Sequence, residues 1–117
     1  MHAAVWLFAI FAFFSSVCVQ YSEELGKDAN IRLQELEQCD CLNHDRFYTL
    51  RFSNENAWHG EVILSSYGPI TFIRSIQLWR DSPEHNEIMI KGKYFGYAQS
   101  DLPSQSGLYY AVMILEW

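Results

Sequence analysis

Hydrophobic positions divide the chain into three unequal parts. Ala3 to Phe14 (AAVWLFAIFAFF) is an unbroken apolar run of twelve residues. Ser22 to Gln38 carries its apolar residues at helical spacing, and beyond Asp45 the dominant period is two. Each part predicts a different kind of segment.

The first run is too short to cross the roughly 30 Å of a bilayer core, which takes about 20 helical residues. It fits the apolar region of a secretory signal, with Ser16 and Cys18 as the small residues before the cleavage point. Residues 1–18 are therefore expected to be removed, leaving residues 19–117 as a single secreted β-rich domain that begins near Val19 or Tyr21. The only positive groups ahead of the run are the Met1 amino group and His2, so an uncleaved anchor reaching Val19 is the alternative. No second apolar run follows, so no membrane span is expected after signal removal.

In Ser22–Gln38 (SEELGKDANIRLQELEQ), Leu25, Ala29, Leu33 and Leu36 share one helical face. Ser22 is a suitable N-cap, and Glu23 and Glu24 suit the positive end of a helix dipole. Gly26 and Asn30 weaken the segment without redirecting it. The period-two segments predict strands at Arg46–Ser53, Glu61–Ser65, Ile70–Arg80 and Glu87–Gln99, the last with a bulge near Gly92 or Gly96. Leu108–Trp117 (LYYAVMILEW) is apolar on both faces, which predicts a central strand. Turn chemistry separates them at residues 53–56, 67–69, 81–83 and 103–107. The fold class read from this pattern is mainly β, or α+β: a small antiparallel sandwich or barrel with an N-terminal helical arm.

Composition narrows function more than fold. Half the residues are hydrophobic, which excludes a disordered tail. Eight Lys and Arg against fourteen Asp and Glu give a net charge of -6, with no basic cluster. That balance disfavours nucleic acid, which rewards clustered cations, and anionic membrane surfaces for the same reason. There is no Asn-x-Ser/Thr acceptor, no nucleophile elbow, no phosphate-cradling glycine loop and no His-Glu-x-x-His, and no cofactor is expected.

Ser106–Leu115 (SGLYYAVMIL) resembles the Gly-Leu-Tyr strand of tumour necrosis factor and C1q-like jelly rolls, which implies one buried antiparallel strand over about ten residues. The chain ends where those families continue with further strands, so membership is not inferred.

Chemistry-bearing residues gather in three places. Cys39-Asp40-Cys41-Leu42-Asn43-His44-Asp45 is the densest polar segment. With Cys18 removed, Cys39 and Cys41 are the cysteines left in an oxidising compartment. A bridge between them would close a very tight ring, outside the usual spread of Cα separations. An interchain bridge, giving a disulfide-linked homodimer, relieves that crowding and is the favoured expectation. Cys39, Cys41 and His44 also suit zinc, with His59 or His85 as a distant fourth ligand, or a Cys41–His44 thiol centre. The acidic turn Asp81–Glu87 reads as a solvated hairpin loop rather than a calcium site, because it lacks EF-hand spacing.

The third place is the loop Asn54–Gly60, where Asn54, Asn56, Trp58 and His59 combine a flat apolar ring with donors and acceptors. Tyr67, Trp79, Tyr94 and Tyr97 could extend that aromatic face. The leading functional reading is a secreted, non-enzymatic binding protein, a ligand, modulator or effector recognising an extracellular protein. A carbohydrate-binding module built on Trp58, and a metal- or thiol-dependent enzyme at Cys39, Cys41 and His44, are the alternatives.

Overall fold

The computed structural model describes residues 19–117; the proposed signal peptide, residues 1–18, lies outside the described residues. The architecture is α+β, a four-stranded mixed sheet with helices on both faces. Strand β1 is Gln20–Tyr21, β2 is His59–Ser66, β3 is Tyr94–Gln99 and β4 is Tyr109–Glu116. Their order across the sheet is β1-β3-β4-β2. β4 runs antiparallel to both neighbours, while the short β1 lies parallel to β3. Helix α1 is Glu23–Cys39, α2 is Phe72–Arg80 and α3 is Pro83–Met89, and Asp45–Thr49 forms a 3-10 turn.

β4 is central, as its two-sided apolar pattern predicts, and Tyr110 to Leu115 are fully buried. Alternation then sorts them. Tyr110, Val112 and Ile114 join Leu25, Ala29, Leu33 and Leu36 of α1 in one core layer. Ala111, Met113 and Leu115 join Ile76, Trp79 and Met89 of α2 and α3 in the other. The four apolar positions expected on one face of α1 are all buried, and Ser22 caps the helix by accepting from the Leu25 amide at 3.2 Å.

Three expectations are corrected. First, among the described residues the sheet is neither closed into a barrel nor stacked on a second sheet; α1 is a layer packed across β3 and β4 rather than an arm. The backbone of α1 at Leu25 and Gly26 presses directly on Gly96, a contact that leaves no room for a side chain. Second, Ile70–Arg80 is helical. Strand alternation would bury Leu78 and expose Trp79, whereas Leu78 is exposed and Trp79 is buried, its indole N–H donating to the Ile63 carbonyl at 3.1 Å. Thr71 is its N-cap, accepting from the Arg74 amide. Third, Ser82-Pro83 opens α3 where a hairpin loop was expected, because proline is preorganised for the first helical position. Glu87–Gln99 therefore begins as helix and becomes strand only at Tyr94. Nor is Arg46–Ser53 a strand: Asp45–Thr49 is the 3-10 turn and residues 50–53 are irregular. Among the described residues, no helix is long and apolar enough to cross a membrane.

Candidate recognition surface

The loop singled out in the sequence enters β2 at His59, and strand alternation splits it. Asn54 and Asn56 lie in an exposed turn closed by the Ala57 amide donating to the Asn54 carbonyl at 3.3 Å. Trp58 is pinned through its backbone: its amide donates to the Trp117 carbonyl at 2.9 Å and its carbonyl accepts from the Trp117 amide at 3.0 Å. Its side chain is nonetheless 73% exposed. His59 faces the opposite side, with its side chain only 8% exposed. There it stacks on Phe52 at 3.7 Å between ring centroids and meets Glu116 Oε1 through Nε2 at 2.9 Å. So Trp58 is displayed, and His59 is structural.

Trp58 has neighbours that carry little signal in the sequence. Opposed residues of an antiparallel pair point to the same face, which places Trp117 beside Trp58 on the α2–α3 side. Lys91 lies 5.7 Å from the Trp117 ring centroid, in cation–π range. Gly60 sits against Ile88 and the Trp117 ring, and Ile90, just after α3, is half exposed. Trp58, Trp117 and Ile88 thus form an apolar rim with Lys91 over the Trp117 ring, built from the end of the sheet and the end of α3. The signal for Trp117 was its place at the end of an apolar strand; Lys91 carried none. Of the other aromatic candidates, Tyr67 and Tyr94 are exposed, while Trp79 and Tyr97 are taken into the core layer. Burial pushes the Tyr97 hydroxyl up to about 12, against a hydrogen bond with Ser75.

The Cys39–His44 segment lies on the other side, where α1 ends. Cys39 and Cys41 are bonded to each other, with their Cα atoms 5.2 Å apart. That is inside the usual spread, contrary to expectation. The reason is Asp40, which adopts left-handed backbone (φ 52°) and turns the chain sharply between the two cysteines. Its carboxylate accepts from the Tyr110 hydroxyl at 2.6 Å and the Ser106 amide at 3.0 Å. Hydrogen bonds from Ser104, Tyr110 and Ser106 hold the Asp40 carboxyl well below the usual carboxylate range. Burial, reinforced by Asp40, pushes the Tyr110 hydroxyl up to about 12.

His44 does not turn toward the sulfurs. Its Nδ1 lies 2.9 Å from Glu61 Oε1, in a network centred on the fully buried Arg32. Arg32 donates to Glu61 from Nε at 2.7 Å and Nη2 at 3.1 Å, to Glu35 at 2.9 Å and to the Asn43 carbonyl at 2.7 Å. Burial alone would lower the Arg32 pKa, but the bonds to Glu61 and Glu35 outweigh it and the net shift is upward. These pairings satisfy the network and tie the segment after α1 to β2. Among the described residues, no group of three or more His, Cys, Asp or Glu side chains is placed to hold a metal.

No protein-family model matches the sequence, and no curated protein matches it at a significant level. The fold is similar to the solved structure of an outer surface protein from Borrelia burgdorferi, with a TM-score of 0.70. The similarity covers 97% of this chain and 90% of that chain at 16% identity. At that identity it speaks for the fold.

Proposed function

We propose that this chain is a secreted or cell-surface protein that works by recognising a protein partner through the rim of Trp58, Trp117 and Lys91. One observation carries the reading: Trp58 is fixed by two backbone hydrogen bonds while most of its ring faces solvent. An anchored aromatic gives a large contact area with little ordering entropy left to lose, which is the profile of an interface hot spot. Lys91 adds a charge for orientation at the border of the apolar area.

Three observations support an extracellular location: the apolar run at residues 3–14, the Cys39–Cys41 bridge, and the fold shared with a protein named for an outer surface. A sugar site would need polar groups converging on the ring, and His59, the next residue in the chain, turns to the opposite face. Protein recognition is therefore the better reading of this rim.

The test is a parallel binding screen of the mature protein against immobilised extracellular proteins and a glycan array, each repeated with Trp58→Ala. Protein binding lost on Trp58→Ala is the expected result. Glycan binding lost on the same change would replace the protein partner with a carbohydrate. Binding unchanged by Trp58→Ala would overturn the rim as the site.

A further inference from the structure

The Cys39–Cys41 bridge has little to do as a structural brace. It encloses a single residue, and the entropy removed from an unfolded chain falls with loop size. The end of α1 is also held without it. The Asp40 carboxylate is fastened to Tyr110 and Ser106, and the Asn43 carbonyl to Arg32. Cys39 is exposed and Cys41 half-buried, and both line a shallow depression of about 360 Å3 with Arg32, Glu35, Asn43 and Arg46.

The two sulfurs are not equivalent. Asn43 Nδ2 donates to Cys41 Sγ at 3.0 Å, while Asn43 Oδ1 is fixed by the Asp45 amide at 3.0 Å. A donor so placed stabilises negative charge on Cys41. Cys39 is the last residue of α1, at the negative end of the helix dipole, which disfavours a thiolate there. The more accessible sulfur is thus the poorer leaving group, and the more sheltered one the better.

We propose that Cys39–Cys41 is a thiol–disulfide exchange site for a dithiol, in which Cys39 is attacked and Cys41 leaves. A substrate thiolate forms an S–S bond to Cys39 Sγ as the Cys39–Cys41 bond breaks, and the electron pair departs on Cys41 Sγ beside the Asn43 amide. The second thiolate of the same substrate then attacks the substrate sulfur of this mixed disulfide and releases Cys39. Two protons leave the substrate thiols for water and two are taken up by the protein thiolates. The substrate dithiol is oxidised by two electrons and the protein disulfide is reduced to two thiols. A low-molecular-mass disulfide such as glutathione disulfide reverses the change by accepting the same two electrons. Because Asp40 is anchored independently of the bridge, the thiols stay adjacent and the ring can close again.

The experiment uses the folded mature protein, dithiothreitol as the dithiol and glutathione disulfide as the oxidant, followed by mass spectrometry and circular dichroism. The bridge is expected to open and close with the fold retained. Reduced glutathione added to the intact bridge and quenched by alkylation is expected to be found in mixed disulfide on Cys39 at least tenfold more often than on Cys41. Asn43→Ala is expected to slow opening by roughly fivefold, the worth of one net hydrogen bond on the leaving sulfur. Loss of the fold on opening, equal trapping of glutathione on the two cysteines, or an unchanged rate in Asn43→Ala would each overturn the proposal.

Discussion

Strands β2 and β4 present His59, Glu61 and Glu116 toward α1, and Trp58, Gly60 and Trp117 toward α2 and α3. The two sides treat their side chains in opposite ways. Toward α1, charged groups are buried and paired: Glu61 with Arg32 and His44, Glu116 with His59. Toward α2 and α3, the apolar surface at the end of the strands runs out from under its helices and leaves Trp58 in solvent. Charge on this protein marks where the fold is fixed, and bare apolar surface marks the rim proposed for recognition. Buried charges resist partner exchange because removing either one strands the other in low dielectric. An exposed ring held by its backbone loses little on transfer from water to a partner.

Breaking the buried side should give the largest effect. Glu61→Ala removes the only fully buried partner of the Arg32 guanidinium, leaving it the more exposed Glu35 and the Asn43 carbonyl, and is expected to cost about 3 kcal/mol in denaturant unfolding. Arg32→Met with Glu61→Leu should cost less than Glu61→Ala alone, since neither charge is then left behind. A double variant no better than the single would show that the pair itself, rather than an orphaned charge, sets the loss.

Gly96→Ala tests the same side by volume instead of charge. A Cβ there meets the α1 backbone at Leu25 and Gly26, which cannot yield as a flexible side chain would. Overpacking of this kind should cost about 3 kcal/mol. A melting temperature near wild type would mean that α1 is not pressed on β3.

The Asp40–Tyr110 bond sharpens the comparison through pH. Asp40 has a lowered pKa when folded, so its contribution is present above the unfolded carboxylate value near 3.8 and is lost as pH falls through the folded value. Tyr110 has a raised one, so its contribution is present below about 10 and is lost as pH rises toward about 12. Asp40→Asn should flatten the acid limb of stability against pH, and Tyr110→Phe the alkaline limb. Limbs that keep their slope in both variants would assign the dependence to other groups.

The smallest stability effect belongs to the open side. Trp58→Ala should change unfolding by less than about 0.5 kcal/mol, as for exposed positions without special contacts, while removing partner binding. A large loss of stability would make Trp58 a part of the core rather than a display.

The α1 segment and β4 are legible because each pattern allows one burial solution. Leu25, Ala29, Leu33 and Leu36 recur at helical spacing behind a serine cap, and residues 110–115 are apolar on both sides. Ile70–Arg80 misleads because Ile70, Phe72, Ile76 and Leu78 mimic alternation, although Phe72, Ser75, Ile76 and Trp79 also fit a helical face. The local signals that favour helix, Thr71 as cap and Ser82-Pro83 as the next start, also serve as turn chemistry.

The sequence by itself determined α1 and the central strand β4, the acidic character, and the pairing options of Cys39 and Cys41. It also picked out Trp58 as a candidate, because a tryptophan among polar residues stands out in any context. Only the tertiary structure decided that Trp58 and His59 part company, that Trp117 and Lys91 join the former, and that Arg32 reaches Glu61 from 29 residues away. These are consequences of strand register and layer packing, which pair residues distant in the chain. A periodic pattern specifies which face of an element is buried; it does not specify what lies opposite.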